Sequence, residues 1–97
     1  MIGKYATGYR AERELKLMHE ANGAYVMTSR ASKGPFDMAV FFPNETILIE
    51  VKVIGKKEKR KFTKLRSRLA KLPVGPKVRK QLWVREKETR HWTHYEI

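Results

Sequence analysis

Residues 47–53 read Ile-Leu-Ile-Glu-Val-Lys-Val, an apolar and largely β-branched run interrupted by two charges spaced two apart. Side chains alternate faces along a strand, so Glu50 and Lys52 share one face while Ile47, Ile49, Val51 and Val53 take the other. Phe36 to Phe42 forms a second apolar run, and Pro43-Asn44-Glu45-Thr46 between the two carries turn chemistry, which predicts an antiparallel hairpin. A loop of two or four residues brings Asp37 opposite position 50 or 52, on the face of both charges. A three-residue loop without a bulge would separate them.

Helical spacing governs the start of the chain. Residues 7–22 predict a helix with Ala11, Leu15 and Met18 on one face and Asn22-Gly23 as its stop. Residues 24–30 have strand composition, and the small-residue loop 31–35 leads directly into Asp37. Farther on, Phe62, Leu65, Leu69 and Leu72 recur at helical intervals among lysines and arginines, which predicts a basic amphipathic helix over 56–72. Pro73-Val74-Gly75-Pro76 ends it, and residues 78–85 and 90–97 pair as a hairpin around 86–89. The predicted order is αβββαββ, one small α/β domain over residues 1–97 without repeat or linker.

Charge changes the picture from fold to partner. The chain carries 22 Lys and Arg against 10 Asp and Glu, a formal net charge of +12, so a polyanion is the expected partner. Nucleic acid fits better than membrane, because no apolar stretch approaches the ~20 residues of a spanning helix. The first residues, Met1 to Tyr5, lack the apolar region of a signal peptide, so an intracellular, cytoplasmic protein is expected. With no cysteine, disulfides, thiolate zinc sites and cysteine nucleophiles are excluded, and any metal must be held by oxygen or histidine. The 41% apolar content argues for a folded globule. A chain this short buries only about 60–65% of its unfolded surface, so oligomerisation would help it.

Two carboxylates and an ammonium at one end of an apolar hairpin are costly unless paired or metal-bound. Oxygen ligands of this kind suit Mg²⁺ or Mn²⁺. A solvated edge with a cross-strand Lys–Glu pair is the competing reading.

Three segments taken in order, Gly8-Tyr9-Arg10-Ala11-Glu12-Arg13-Glu14-Leu15, Arg30-Ala31-Ser32-Lys33-Gly34-Pro35-Phe36-Asp37 and Ile49-Glu50-Val51-Lys52, resemble the archaeal-type Holliday junction resolvases, also found in viruses. That family belongs to the PD-(D/E)XK nuclease superfamily, whose fold is a small mixed sheet flanked by helices. The resemblance covers residues 8–53; the second half is similar only in element order and basic character.

The resemblance implies that Asp37 and Glu50 hold Mg²⁺, for which Mn²⁺ can substitute, with the Val51 carbonyl as a further ligand and Glu12 completing the acidic cluster. Lys52 would orient or help deprotonate the attacking water, and hydrolysis would leave 5′-phosphate and 3′-hydroxyl ends. Arg13, Arg30 and Ser32 match positions of phosphate contact or active-site support, Ser32 among the catalytic group, and Lys33 lies beside them. As bare residues, Arg13 reads as a solvated helix position, Arg30 as a strand-end charge and Ser32 as a turn former. The run containing Lys56, Lys57, Lys59 and Arg60, otherwise a solvated face, would hold a second duplex arm. The implied substrate is branched DNA, a four-way junction read by shape and phosphate geometry and nicked in pairs by a two-fold homodimer.

Other residues read as structural. His91 and His94 fall on opposite strand faces and are expected at the surface. His19, two helical turns beyond Glu12, reads as a partly exposed structural histidine, and Trp83, Trp92, Tyr5 and Tyr95 as core or interface rather than base-stacking residues. Glu14 lies about 200° around the helix from Glu12. Two alternatives remain: a related nuclease acting on flaps, nicks or duplexes, and a non-catalytic basic nucleic-acid-binding domain.

Overall fold

The structure, a computed structural model, describes residues 4–29, 34–55, 58 and 60–97, with side chains from residue 8 onward. Helix α1 (Lys4–Ala21) precedes strands β1 (Tyr25–Thr28), β2 (Met38–Phe42) and β3 (Glu45–Ile54); helix α2 (Thr63–Ala70) then leads to β4 (Val78–Glu86) and β5 (Trp92–Glu96). The elements follow one another as the sequence predicts. They build one mixed five-stranded sheet in the order β1-β2-β3-β4-β5, parallel only between β3 and β4. Among the described residues no helix is long and apolar enough to cross a membrane.

The β2–β3 hairpin closes through Pro43 and Asn44, with Phe42 paired to Glu45. This even loop sets the register. Its last ladder pair is Met38 with Ile49, so the next position places Asp37 beside Glu50. Along β3, Ile47, Ile49 and Val51 are buried, and they join Val26, Met38, Val40 and Trp83 beneath Ala11 and Leu15 of α1. Val53 packs against the same cluster. The opposite face carries a smaller core of Ile54, Leu82 and Val84, packed by Phe62 and Leu65 from the α2 region.

The buried row on α1 is Ala11, Leu15 and His19, not the predicted Met18, which is 40% exposed. A row that advances four residues at a time drifts about 40° per step at ~100° per residue, and here it follows that drift. The predicted stop holds: Gly23 adopts φ 92, a left-handed conformation that glycine takes without strain. The Ala24 amide then donates back to the His19 carbonyl at 3.1 Å, closing the last turn.

Helix α2 is much shorter than the predicted 56–72. Arg60 and Lys61 lie outside it, and Phe62 precedes it at φ 54 and ψ 40, a left-handed geometry that a helix cannot propagate through. Phe62 gains burial against the α2-side core in this geometry. At the other end, Lys80 of β4 is buried, and its Nζ donates to the carbonyls of Leu69 at 2.7 Å, Ala70 at 3.1 Å and Leu72 at 2.8 Å. All three ammonium protons are used, on the negative end of the helix dipole. Lys80→Met keeps the length of the side chain but removes this donor from all three carbonyls, of which Leu69's still accepts from the Leu72 amide at 3.2 Å. It is expected to lower stability by about 1–3 kcal/mol, read as a reduced urea midpoint at unchanged slope.

Among the described residues no helix covers the β1–β2 end of the α2-side face. Tyr25 and Phe41 stand there with ring centroids 6.1 Å apart, and Tyr25 is 66% exposed.

Candidate active site

Pairing between β2 and β3 ends at Met38, while β3 continues to Ile54 alongside β4. The Val51 N–H on that vacated edge is taken by the Asp37 side chain, whose Oδ2 accepts from it at 2.7 Å. Asp37 is further fixed through its backbone, donating to the Ile49 carbonyl and accepting from the Ser29 amide, both at 2.8 Å. Its carboxyl therefore lies near the plane of the sheet, where residues from either face can reach it. Glu50 meets it from β3 and Glu12 from α1, each sharing a side-chain hydrogen bond with Asp37. The Val51 carbonyl leaves the strand on the same side as its N–H, toward Asp37.

Three carboxyls joined in this way cannot all ionise cheaply. Burial, then the hydrogen bond and the charge of Asp37, push Glu12 up to about 7. The same causes push Glu50 up to about 8, against the opposing pull of Lys52 and the Val51 amide. Lys52 thus lies close enough to Glu50 to act on it electrostatically, on the shared face that strand alternation predicts.

Beyond Lys52 the face opens into a cleft of about 450 Å³, bordered by Arg60, Lys64 and Arg68 as well as Lys52 itself. The Arg60 guanidinium sits 4.6 Å over the Phe62 ring. Arg13 is exposed on α1, next to Glu12 in the chain. Arg30, Ser32, Lys33, Lys56, Lys57 and Lys59 lie outside the described residues.

Glu14, the neighbour most easily mistaken for Glu12, is engaged elsewhere. Its carboxylate accepts from Arg85 Nη2 and from Trp92 Nε1, each at 2.8 Å. Burial works against its charge, but these hydrogen bonds outweigh that and hold it below the ordinary glutamate range. His19 is more buried than expected, lying edge-on to Trp83 at 5.5 Å, and burial pushes its imidazole down. His91 and His94 are both exposed, as expected, and His94 stacks on Trp83 at 4.5 Å. Trp83 and Trp92 belong to the α1-side core and Tyr95 to the α2-side core, while the side chain of Tyr5 lies outside the described residues.

A carboxyl group shared through protons is also a set of oxygen donors. Among the described residues no three histidine, cysteine, aspartate or glutamate side chains stand ready around one point as a closed metal cage. The donors are drawn together pairwise through Asp37, an incomplete oxygen set of the kind Mg²⁺ uses when it keeps waters and substrate oxygens as its other ligands. No family model and no curated protein sequence matches the chain.

Proposed function

We propose that the protein is a Mg²⁺-dependent DNA endonuclease with a PD-(D/E)XK domain, and that its substrate is a four-way junction cut by paired nicks from a homodimer. One observation carries the nuclease reading: Asp37 joins Glu12 and Glu50 into a carboxyl cluster with Lys52 alongside. A solvated edge with a simple Lys–Glu pair gives no reason for Asp37 to be buried or for α1 to contribute a third acid. The donor set fits a hard divalent cation, because Asp37, Glu50 and Glu12 offer only oxygens and hold more negative charge than they can keep without protons or a cation. Once bound through Asp37 and Glu50, with the Val51 carbonyl and Glu12 as further donors, such an ion would polarise a phosphodiester and acidify a water.

The chain's own groups supply the rest. Asp37 orients the cluster through its hydrogen bond from Val51. Lys52 offers its ammonium to the phosphoryl oxygens or, when neutral, takes a proton from the attacking water. The net charge of +12 draws the polyanion in, and the cationic cleft beside Lys52 gives its backbone a path. Branched DNA as the substrate is supported by the ordered resemblance of residues 8–53, and a dimer by the uncovered Tyr25 and Phe41 surface.

The test incubates purified protein with a four-way junction, a flap and a linear duplex, with Mg²⁺ or with chelator. Symmetric paired nicks confined to the junction, abolished by chelation, are expected. Equal cutting of all three would leave a broader nuclease. Binding without metal-dependent cutting of any would sink the enzymatic reading in favour of a basic nucleic-acid-binding domain.

A further inference from the structure

The cleft next to Lys52 has a composition that packing does not explain. Four cations border it, Lys52, Arg60, Lys64 and Arg68, and among the described residues no carboxylate lines it. Its remaining wall is Phe62, Thr63 and Leu65. Like charges gathered around one hollow repel each other unless an anion sits between them. The first turn of α2 contains no acidic residue and no side-chain cap, so its amides add further positive potential on that side.

The geometry also matches a chain of phosphates better than a single anion. Lys64 and Arg68 lie one turn apart on α2, about 6 Å along its axis, the scale on which neighbouring phosphates of one strand are spaced. Arg60 is held over the Phe62 ring, which restricts its guanidinium and leaves its donor edge for an oxygen ligand. Lys52 belongs both to this cleft and to the carboxyl cluster. A strand whose phosphate reaches Lys52 can continue into the cleft, where Arg60, Lys64 and Arg68 follow one another.

We infer that this cleft is a backbone-phosphate subsite, in which Arg60, Lys64 and Arg68 grip the phosphates adjoining the one at Lys52. The inference rests on the nuclease reading for the identity of that strand. It assigns Lys64 and Arg68 a role in holding DNA without base readout, so their effect is the same on every sequence.

The experiment measures binding of a four-way junction by anisotropy in chelator, from about 50 to 200 mM salt, the range over which phosphate contacts show most clearly. Lys64→Ala/Arg68→Ala is compared with Lys77→Ala/Lys87→Ala, which removes the same charge from exposed positions outside the cleft. The cleft pair is expected to weaken binding roughly tenfold and to reduce the salt slope by about 1–2, with the control pair much closer to the parent. Lys64→Arg/Arg68→Lys should restore the slope. Equal losses in the two alanine pairs would overturn the subsite. Thermal melts verify folding, and Arg68→Gln alone serves if the double variant is unstable. Cleavage with Mg²⁺ is followed separately: a parent that binds through the cleft but never cuts refutes hydrolysis and leaves the subsite standing. A parent that cuts with KM unaffected by the cleft pair refutes the subsite and leaves hydrolysis standing.

Discussion

Asp37→Asn is expected to reduce Mg²⁺-dependent cleavage by roughly a thousandfold while leaving fold and DNA binding in place. The asparagine oxygen can still accept from the Val51 N–H that Asp37 Oδ2 now takes at 2.7 Å, so the strand edge stays closed. What disappears is the charge, and with it the centre through which Glu12 and Glu50 are linked. Asp37→Ala is the poorer probe, because it also leaves the Val51 amide without its acceptor, a loss of about 1–3 kcal/mol. Single-turnover cleavage with Mg²⁺ and anisotropy in chelator separate the two effects. An asparagine variant that cuts at the parental rate would remove Asp37 from the chemistry.

Glu50→Gln is expected to stabilise the protein at pH 8 and to change it little at pH 4. The ordinary glutamate value is 4.5, and burial with Asp37 alongside raises Glu50 to about 8 in the folded state. Between these values the folded chain retains a proton that the unfolded chain has released, so stability falls as pH rises through that window. Below it both states are protonated and the penalty vanishes. Glu12 behaves likewise up to about 7. Both side chains are partly open to solvent, so screening reduces the gain from Glu50→Gln to about 1–2 kcal/mol, or several degrees in Tm. Mg²⁺ should raise Tm of the parent more at pH 8 than at pH 5, where protons compete for the same oxygens, and should do so less in the glutamine variant. Melting curves at pH 4, 6 and 8 decide the matter: parent and variant running parallel across the range would mean that Glu50 titrates normally.

The strand that carries Glu50 and Lys52 was legible because a period of two is written directly in residues 47–53, whereas the even length of the loop stays open in the sequence and is settled by the pairing of Phe42 with Glu45. Alternation alone assigns Asp37 to a face. It does not reveal that ladder pairing stops at Met38 and leaves a Val51 N–H for the carboxyl to cap, which is what lets Glu12 reach it from the other side of the sheet. Local helix propensity likewise overran α2, since the left-handed turn at Phe62 is driven by burial against Ile54, Leu82 and Val84, which lie far away in the chain or on other strands. The buried Lys80 had no signal at all: among Lys77, Arg79 and Lys80, only the position of the α2 carbonyls selects which cation goes inside. Lys64 and Arg68 showed their four-residue spacing, but only the cleft connects them to Lys52.

The parallel seam between β3 and β4 has a consequence for how the chain acquires its shape. The other strand pairs are antiparallel with no described helix between them, whereas Thr46 must find Val78 across the whole α2 excursion before this seam can close. Such closure is entropically slow, and the α1-side core lacks Trp83 until it happens. Glu12, Asp37, Glu50 and Lys52 all precede α2, yet the α1-side core lacks its β4 member until β4 docks. A chain truncated before residue 83 is therefore expected to leave these four charges unassembled, read as the loss of a cooperative thermal transition.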